Sequence, residues 1–131
     1  MMNRRQFFAA TAATAAVSTL ARSASAAMIG EKGTFEGRSN HVTSGSVQIV
    51  EIEDKYVVEL GDDFSLDGGP DPRVGFGTDG TYDPDSHLGA LLRLKGKQYY
   101  AVPKTKGISQ YNEVYIWCEV ASVPLGVAKL K

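Results

Sequence analysis

The residues of this chain that could carry out chemistry are few. Cys118 is the single cysteine among 131 residues, and it directly follows Trp117, the single tryptophan. A cysteine thiolate can exchange electrons as a free thiol, or it can ligate a metal or a haem iron. The alternative is an unreactive core position, because cysteine is often buried as a small hydrophobic residue. The sequence alone leaves both interpretations open for Cys118.

Two histidines are the next candidates. His41 lies in the turn-like stretch Ser39-Asn40-His41, and His87 follows a loop that is rich in aspartate. Either could be a second ligand beside Cys118. The chain has no Cys-x-x-Cys-His motif for covalent haem attachment and no metal-ligand spacing. No metal site is therefore predicted, and a haem or other prosthetic group stays open.

Other patterns give weaker signals. The run Gly75-Phe76-Gly77-Thr78-Asp79-Gly80 matches the dinucleotide-binding glycine pattern by letter, but no helix follows to receive a pyrophosphate, so the glycines are interpreted as bulge and turn residues. Seven aspartates lie between residues 62 and 85. Their carboxylates could bind calcium, but aspartate is also a common turn residue, and the turn interpretation is favoured. Since no nucleophile elbow, zinc-protease helix or spaced carboxylate pair is visible, the sequence favours a protein that is not a classical enzyme.

The elements that must position these residues are predicted to be strands. From Gly33 onward, short apolar runs alternate with Gly, Pro, Asp and Asn clusters, and helical periodicity is absent. Eight such strands favour an all-β, antiparallel two-sheet β-sandwich of immunoglobulin-like type. They are predicted at residues 34–37, 46–52, 56–60, 73–76, 90–94, 98–102, 113–120 and 123–128.

The strand predicted over residues 113–120 decides where Cys118 points. Alternation along a strand places successive side chains on opposite faces. Val114, Ile116, Cys118 and Val120 therefore share one face, and Tyr115, Trp117 and Glu119 share the other. The aliphatic neighbours of Cys118 predict that its thiol points inward.

The first 26 residues are predicted to be a signal peptide. A basic start with Arg4 and Arg5 precedes an apolar run over residues 7–21, which is shorter than the roughly 20 residues of a membrane span, and a small-residue pattern predicts cleavage between Ala26 and Ala27. The motif Asn3-Arg4-Arg5-Gln6-Phe7-Phe8 resembles the twin-arginine export signal. The mature chain then has a short N-terminal segment, residues 27–32, and one domain, residues 33–131, in a periplasmic or secreted location without a stable membrane anchor.

The net charge of the mature chain indicates which classes of partner it is expected to bind. Cleavage after Ala26 removes three of the 14 basic residues and none of the 15 acidic ones, so the formal net charge falls from −1 to −4. A negatively charged domain is a poor match for a phosphate backbone. Nucleic acid is therefore excluded as the expected partner, and a redox partner or a cell-envelope component is expected.

Several motifs together resemble the DM-thirteen domain, over residues 33–130. The strongest is Val114-Tyr115-Ile116-Trp117-Cys118, and the stretch that begins at His41 also matches. The other matching segments are residues 41–47, 60–64, 69–71 and 94–96, Tyr100 with Pro103, residues 126–128 and Leu130. The chain departs from the family pattern at residues 72–76, and it has Val120 and Leu125 where phenylalanines are common.

This resemblance implies a β-sandwich of the kind found in DOMON domains, many of which bind haem or sugars. It also implies an electron-transfer role centred on Cys118, with His41 and Trp117 as candidate cofactor-binding neighbours. An extracytoplasmic redox domain is thus the first hypothesis. A non-catalytic β-sandwich that binds a ligand or an envelope component is the second, since no further polar group is seen to converge on the cysteine.

Overall fold

The structure is a computed structural model that describes residues 30–103 and 107–131. These residues form eleven β-strands and two short 3₁₀ turns, Pro84–Ser86 and Ile108–Gln110, and no α-helix. The all-β prediction is confirmed. The strands are β1 (Lys32–Gly37), β2 (Thr43–Ser44), β3 (Ser46–Ile52), β4 (Lys55–Leu60), β5 (Ser65–Leu66), β6 (Pro72–Thr78), β7 (Thr81–Tyr82), β8 (Gly89–Ala90), β9 (Gln98–Val102), β10 (Glu113–Cys118) and β11 (Val123–Lys129).

Nine strands form one antiparallel, curled sheet. Its order is β7-β6-β10-β11-β1-β3-β4-β9, with β8 also paired to β6, while β2 and β5 form a separate two-stranded sheet. Strand β1 joins the two halves of the large sheet, because Lys32, Gly33 and Thr34 pair with β3 and Phe35, Glu36 and Gly37 pair with β11. The predicted division into two stacked sheets stays a prediction.

Tight turns fix the register of the hairpins. Glu53 and Asp54 join β3 to β4, and both have positive φ, 51° and 65°. Asp79 and Gly80 join β6 to β7 in the same way, at 50° and 91°. Two successive positive φ values give the turn whose twist matches that of the flanking strands. The turn prediction for the glycine run is therefore confirmed at Gly80, whereas Gly75 and Gly77 are regularly paired residues of β6 and not the bulge residues that were predicted.

One main hydrophobic core lies inside the curled sheet. Inward side chains from β3, β4 and β9 meet those from β6, β10 and β11. Phe35 on β1 packs edge-on against Phe64, with 5.4 Å between the ring centroids. A second, smaller cluster of Tyr82, Tyr115 and Val127, with Trp117 packed against it, lies apart from the main core. We call this set the aromatic cluster.

The strand predictions are correct where alternation is regular and wrong where a turn interrupts it. The bounds of β3 and β9 were predicted without error. The strand predicted over residues 90–94 is wrong beyond Ala90, since β8 has two residues and Leu92 and Leu94 are exposed. Strands β2, β5 and β7, with two residues each, were not predicted because two residues are too few to show a pattern.

Val120 also corrects the sequence analysis. Strand β10 ends at Cys118, and the amide of Ser122 donates to the carbonyl of Cys118 over 2.8 Å, which turns the chain. Val120 lies in this turn with 71% of its surface exposed. It therefore does not share the inward face of Val114, Ile116 and Cys118.

Candidate functional site

Cys118 is the last residue of β10 and points into the main core. Only 1% of its surface is exposed, and it belongs to the same cluster as Val114 and Ile116. It lies opposite Pro72 on β6 and Val123 on β11. The inward direction predicted for the thiol is confirmed.

A partly exposed loop, residues 67–71, lies against the thiol. The Cys118 Sγ atom donates a hydrogen bond to the carbonyl oxygen of Pro70 over 3.0 Å, and the amide of Glu119 donates to the carbonyl of Asp71 over 3.1 Å. Gly69 and Pro70 are themselves exposed to solvent. We call residues 67–71 the cover loop. The thiol is therefore a core group that also contacts a surface segment.

His41 lies beside the same loop. Its Nδ1 atom is 2.9 Å from Asp67 Oδ1, and Asp67 Oδ2 accepts from the amide of Val42 over 3.0 Å. The bond from Val42, followed by the bond and charge of His41, lowers the pKa of Asp67 below its usual 3.8. A Cβ atom placed on Gly69 would lie 3.4 Å from His41 Cε1. The contact of His41 with Asp67 thus holds one end of the cover loop in place.

Trp117 is placed on the other face of the sheet from Cys118. It stacks on Tyr82 with 4.3 Å between the ring centroids and 12° between the planes. It also makes an edge contact with Tyr115, at 6.4 Å and 68°. The structure therefore brings His41 and Cys118 to one loop but separates Trp117 from both.

A comparison with protein-family models shows which family the chain belongs to. The model described as "Electron transfer DM13" matches residues 34–130. The chain belongs to the electron transfer DM13 family. No curated protein matches the chain, and no solved structure matches it. The match covers β2 to β11 and the last four residues of β1, and therefore includes His41, the cover loop and Cys118.

The family's candidate ligands do not fit a haem or metal site in this DM13 domain. The sulfur of Cys118 is bonded to a backbone carbonyl among aliphatic side chains, and His41 Nδ1 is bonded to Asp67. In the described part of the chain, no three His, Cys, Asp or Glu side chains group as metal ligands would. Trp117 faces away from both residues. Chemistry at Cys118 is therefore derived from the thiol alone.

The remaining candidates have structural contacts. His87 is exposed and follows the first 3₁₀ turn. Several of the seven aspartates support turns and strand ends, as the turn interpretation predicts. Asp63 accepts from both the amide and the hydroxyl of Ser46, and Asp71 pairs with Arg73 at 2.9 Å. Arg4, Arg5, Ala26 and Ala27, the residues of the export and cleavage predictions, lie outside the described residues. Within those residues no helix is long and apolar enough to cross a membrane.

A buried carboxylate that the sequence did not predict lies at the start of β10. Only 2% of Glu113 is exposed, and its Oε1 atom accepts from the amide of Gly80 over 2.9 Å and from the hydroxyl of Tyr115 over 3.3 Å. Alternation along the strand places Glu113 on the face of Tyr115 and Trp117, but a charged side chain is rarely buried, so the sequence offered no reason to single it out. The β6–β7 turn buries it.

An open groove of about 560 Å³ runs past this carboxylate. Arg38 and Lys129 are among the basic residues that line it, and Glu113 and Tyr115 are also part of its wall. Basic side chains beside a carboxylate can bind a polar ligand through charge-assisted hydrogen bonds. The groove is a second candidate site, on the surface that carries the Tyr115 side chain.

Proposed function

We propose that this protein is an extracytoplasmic electron-transfer domain whose redox group is the thiol of Cys118. The observation that carries the proposal is the bond between Cys118 Sγ and Pro70 O of the partly exposed cover loop. Opening this loop exposes the sulfur without unfolding the sheet, because the adjacent strands β6 and β11 stay paired with β10. Membership of the electron transfer DM13 family supports a redox role for the domain.

The proposed chemistry is thiol–disulfide exchange with a disulfide of a partner protein or of a small thiol compound. When the loop opens, the Cys118 thiol loses its proton to solvent, and the thiolate attacks one sulfur of the disulfide. A new S–S bond forms at Cys118, the partner's S–S bond breaks, and the other sulfur leaves as a thiolate that takes up a proton. The departing thiol carries the two electrons, and a second thiol reverses the step.

Export of the folded domain is the second part of the proposal. The Arg4-Arg5 pair, the weakly apolar run and the small residues before Ala27 support twin-arginine export and cleavage after Ala26. A periplasmic or secreted location supplies disulfide partners, since such compartments are oxidising. We also propose that the domain, residues 33–131, is related to the DOMON β-sandwiches, with the two halves of the curled sheet, joined at β1, as the two layers.

Labelling kinetics of Cys118 test the redox proposal. The mature protein is mixed with a chromogenic aromatic disulfide in native buffer, and the rate is measured at several low urea concentrations. Local opening of the cover loop predicts complete labelling of the native protein at a rate that urea barely changes, because loop opening exposes little surface. Labelling that occurs only at the rate of global unfolding would overturn the proposal.

Glycine variants show whether the cover loop controls access. A Cβ atom in Gly69→Ala would lie 3.2 Å from Leu125 Cδ1, and the φ of Gly69 is +143°. The closed loop is therefore destabilised, and labelling should accelerate. Gly96→Ala is the matched control, because its φ of +98° causes similar strain in a different loop where no atom lies within 4 Å. Equal acceleration in both variants would mean that access follows overall stability rather than the loop.

The alternative function is a non-catalytic module that binds a polar ligand or an envelope component. The groove beside Glu113 and Arg38 favours it. Under this alternative, Cys118 is an unreactive core residue, and Cys118→Ser binds as well as the wild type, whereas Arg38→Ala weakens binding. Isothermal titration with soluble envelope polysaccharides, compared between these two variants, separates the alternative from the redox function.

A further inference from the structure

The aromatic cluster contains three oxidisable rings in mutual contact. Tyr82 and Trp117 are stacked at 4.3 Å, Tyr82 and Tyr115 lie at 5.4 Å, and Tyr115 and Trp117 lie at 6.4 Å between centroids. Trp117 is half-buried, whereas Tyr82 and Tyr115 are buried. An electron acceptor in solution can therefore approach the ring of Trp117 more closely than the other two.

Glycines allow this close arrangement. A Cβ atom on Gly75 would lie 2.7 Å from Tyr82 Cε1, and a Cβ atom on Gly77 would lie 2.3 Å from Tyr115 Cε1. Strand β6 thus presents bare backbone beneath both tyrosine rings. The two rings pack over these glycines at 58° to each other, and a Cβ atom at either position would displace the ring above it.

The two tyrosines differ in what their hydroxyl groups contact. The Tyr115 hydroxyl donates to Oε1 of the buried Glu113 over 3.3 Å. The buried Tyr82 hydroxyl has no hydrogen-bond partner among the described residues. A phenol becomes a strong acid when it loses an electron, so its oxidation is easiest where a proton acceptor is already in contact. Tyr115 has such an acceptor, whereas Tyr82 has none within residues 30–103 and 107–131.

Charge and burial keep Tyr115 protonated before it reacts. Burial, followed by the charge of Glu113 and the hydrogen bond to it, raises the pKa of Tyr115 to about 12. Tyrosine is protonated at neutral pH even at its usual pKa of about 10, and the raised pKa of Tyr115 extends this to alkaline pH, so the proton leaves only when an electron leaves the ring.

We infer that the aromatic cluster is a second redox site, in which Trp117 gives an electron to a one-electron oxidant and Tyr115 then reduces Trp117 while passing its proton to Glu113. The oxidant is of the class of high-potential, outer-sphere metal complexes. Its reduction leaves a Trp117 radical cation. Tyr115 returns the electron to Trp117, Glu113 Oε1 takes the phenolic proton, and the products are a neutral Tyr115 radical and a protonated Glu113. The site does not require Cys118.

Flash photolysis tests this inference on the mature protein. A ruthenium polypyridyl complex is photo-oxidised with a cobalt(III) quencher, and transient absorption follows the radicals. In the wild type, the tryptophan radical band should decay with the same rate constant with which the tyrosyl band rises. In Tyr115→Phe, which removes one hydroxyl group, the fast tyrosyl band should be lost and the tryptophan radical should persist.

Two further variants make the result specific. Glu113→Gln removes the proton acceptor, and it should slow the rise of the tyrosyl band by about 100-fold, the lower range for loss of a positioned base. Tyr99→Phe is the matched control, because Tyr99 lies on β9 in the other half of the sheet with 48% of its surface exposed. A tyrosyl band that is lost in Tyr99→Phe and kept in Tyr115→Phe would overturn the inference.

The same experiment in Cys118→Ser separates this inference from the proposed function. The radical kinetics should be unchanged there, whereas thiol labelling is abolished. Loss of the tyrosyl band in Cys118→Ser would contradict an independent site. Native labelling of Cys118 that fails while the tyrosyl radical forms would overturn only the thiol proposal.

Discussion

The ring of Tyr115 on β10 lies directly over Gly77 on β6. A Cβ atom on Gly77 would be 2.3 Å from Tyr115 Cε1 and 2.5 Å from the backbone oxygen of Thr81. The register of the two strands fixes this position, because Tyr115 pairs with Gly75 and Glu113 pairs with Gly77. The glycine is therefore part of the packing of the aromatic cluster.

Gly77→Ala should destabilise the domain. The ring of Tyr115 could turn aside, but the Thr81 oxygen belongs to a paired strand and cannot move freely, so we expect a loss of about 1–3 kcal/mol in the free energy of unfolding, typical of overpacking. Gly107→Ala is the control, since the nearest atom to its Cβ would be Gln110 Nε2 at 3.5 Å. Urea unfolding measures both, and equal stability of the two variants would contradict the packing.

Tyr82→Phe should stabilise the domain. The Tyr82 hydroxyl is buried without a hydrogen-bond partner among the described residues, and removing an unsatisfied polar group recovers its desolvation cost, here about 1 kcal/mol. The stacked ring is retained in phenylalanine. The exposed Tyr99→Phe is the control and should leave the stability unchanged. A loss of stability in Tyr82→Phe would mean that the hydroxyl has a partner.

The same variant should alter stability at alkaline pH. Burial, followed by the charges of Glu119 and Asp83, raises the pKa of Tyr82 to about 12, above the usual 10.0. The stability associated with the protonated phenol is complete below pH 10 and is lost as the pH rises toward 12. The advantage of Tyr82→Phe over the wild type should therefore increase in this window, as measured by urea unfolding at several pH values. A constant difference would contradict the raised pKa.

The alternation of side chains along each strand predicted much of the fold and the directions of the side chains on β10. Alternation in β10 correctly placed Cys118 inward and Tyr115 and Trp117 on the other face. It did not predict that the chain turns after Cys118, which exposes Val120, because an aliphatic residue in the right phase looks like a continuing strand. The turn depends on a backbone bond between residues 118 and 122 and on the positive φ of Ser122, 54°.

The contacts that define the two sites could not be predicted from the sequence. Cys118 and its acceptor Pro70 are 48 residues apart, and the Tyr115 side chain meets residues of β6 and β7. Such contacts depend on strand order, which hydrophobic alternation does not contain. The family resemblance pointed to Cys118, but it gave no indication of Glu113, whose burial follows from the turn at Gly80.

Asp67→Asn should show how much the contacts of Asp67 with His41 and Val42 stabilise the fold, and how this contribution depends on pH. Because the folded-state pKa of Asp67 is lowered, its contribution to stability is present above pH 3.8 and is lost as the pH falls through that lower value. The wild type should therefore exceed Asp67→Asn in stability near neutral pH, and the difference should shrink on acidification.

Urea unfolding between neutral pH and about pH 2 measures this difference. Asp62→Asn, at an exposed position near the same loop, is the control and should follow the wild type throughout. Since Asp67 holds His41 and Val42 to the loop, Asp67→Asn should also accelerate native labelling of Cys118. If Asp67→Asn lowers the free energy of unfolding but leaves the labelling rate of Cys118 unchanged, the contacts of Asp67 do not control opening of the cover loop.

Cys118→Val separates the packing of the cysteine from its chemistry. Valine fills a similar volume and suits a strand, so the core should remain well packed, and the main loss is the hydrogen bond to the Pro70 carbonyl. We expect the free energy of unfolding to fall by less than about 1.5 kcal/mol, as in volume-conserving substitutions. Cys118→Ala, which leaves a cavity, should be less stable than Cys118→Val. If valine instead destabilises the domain as much as alanine does, the thiol bond itself supports the fold, and the redox role loses its main structural argument.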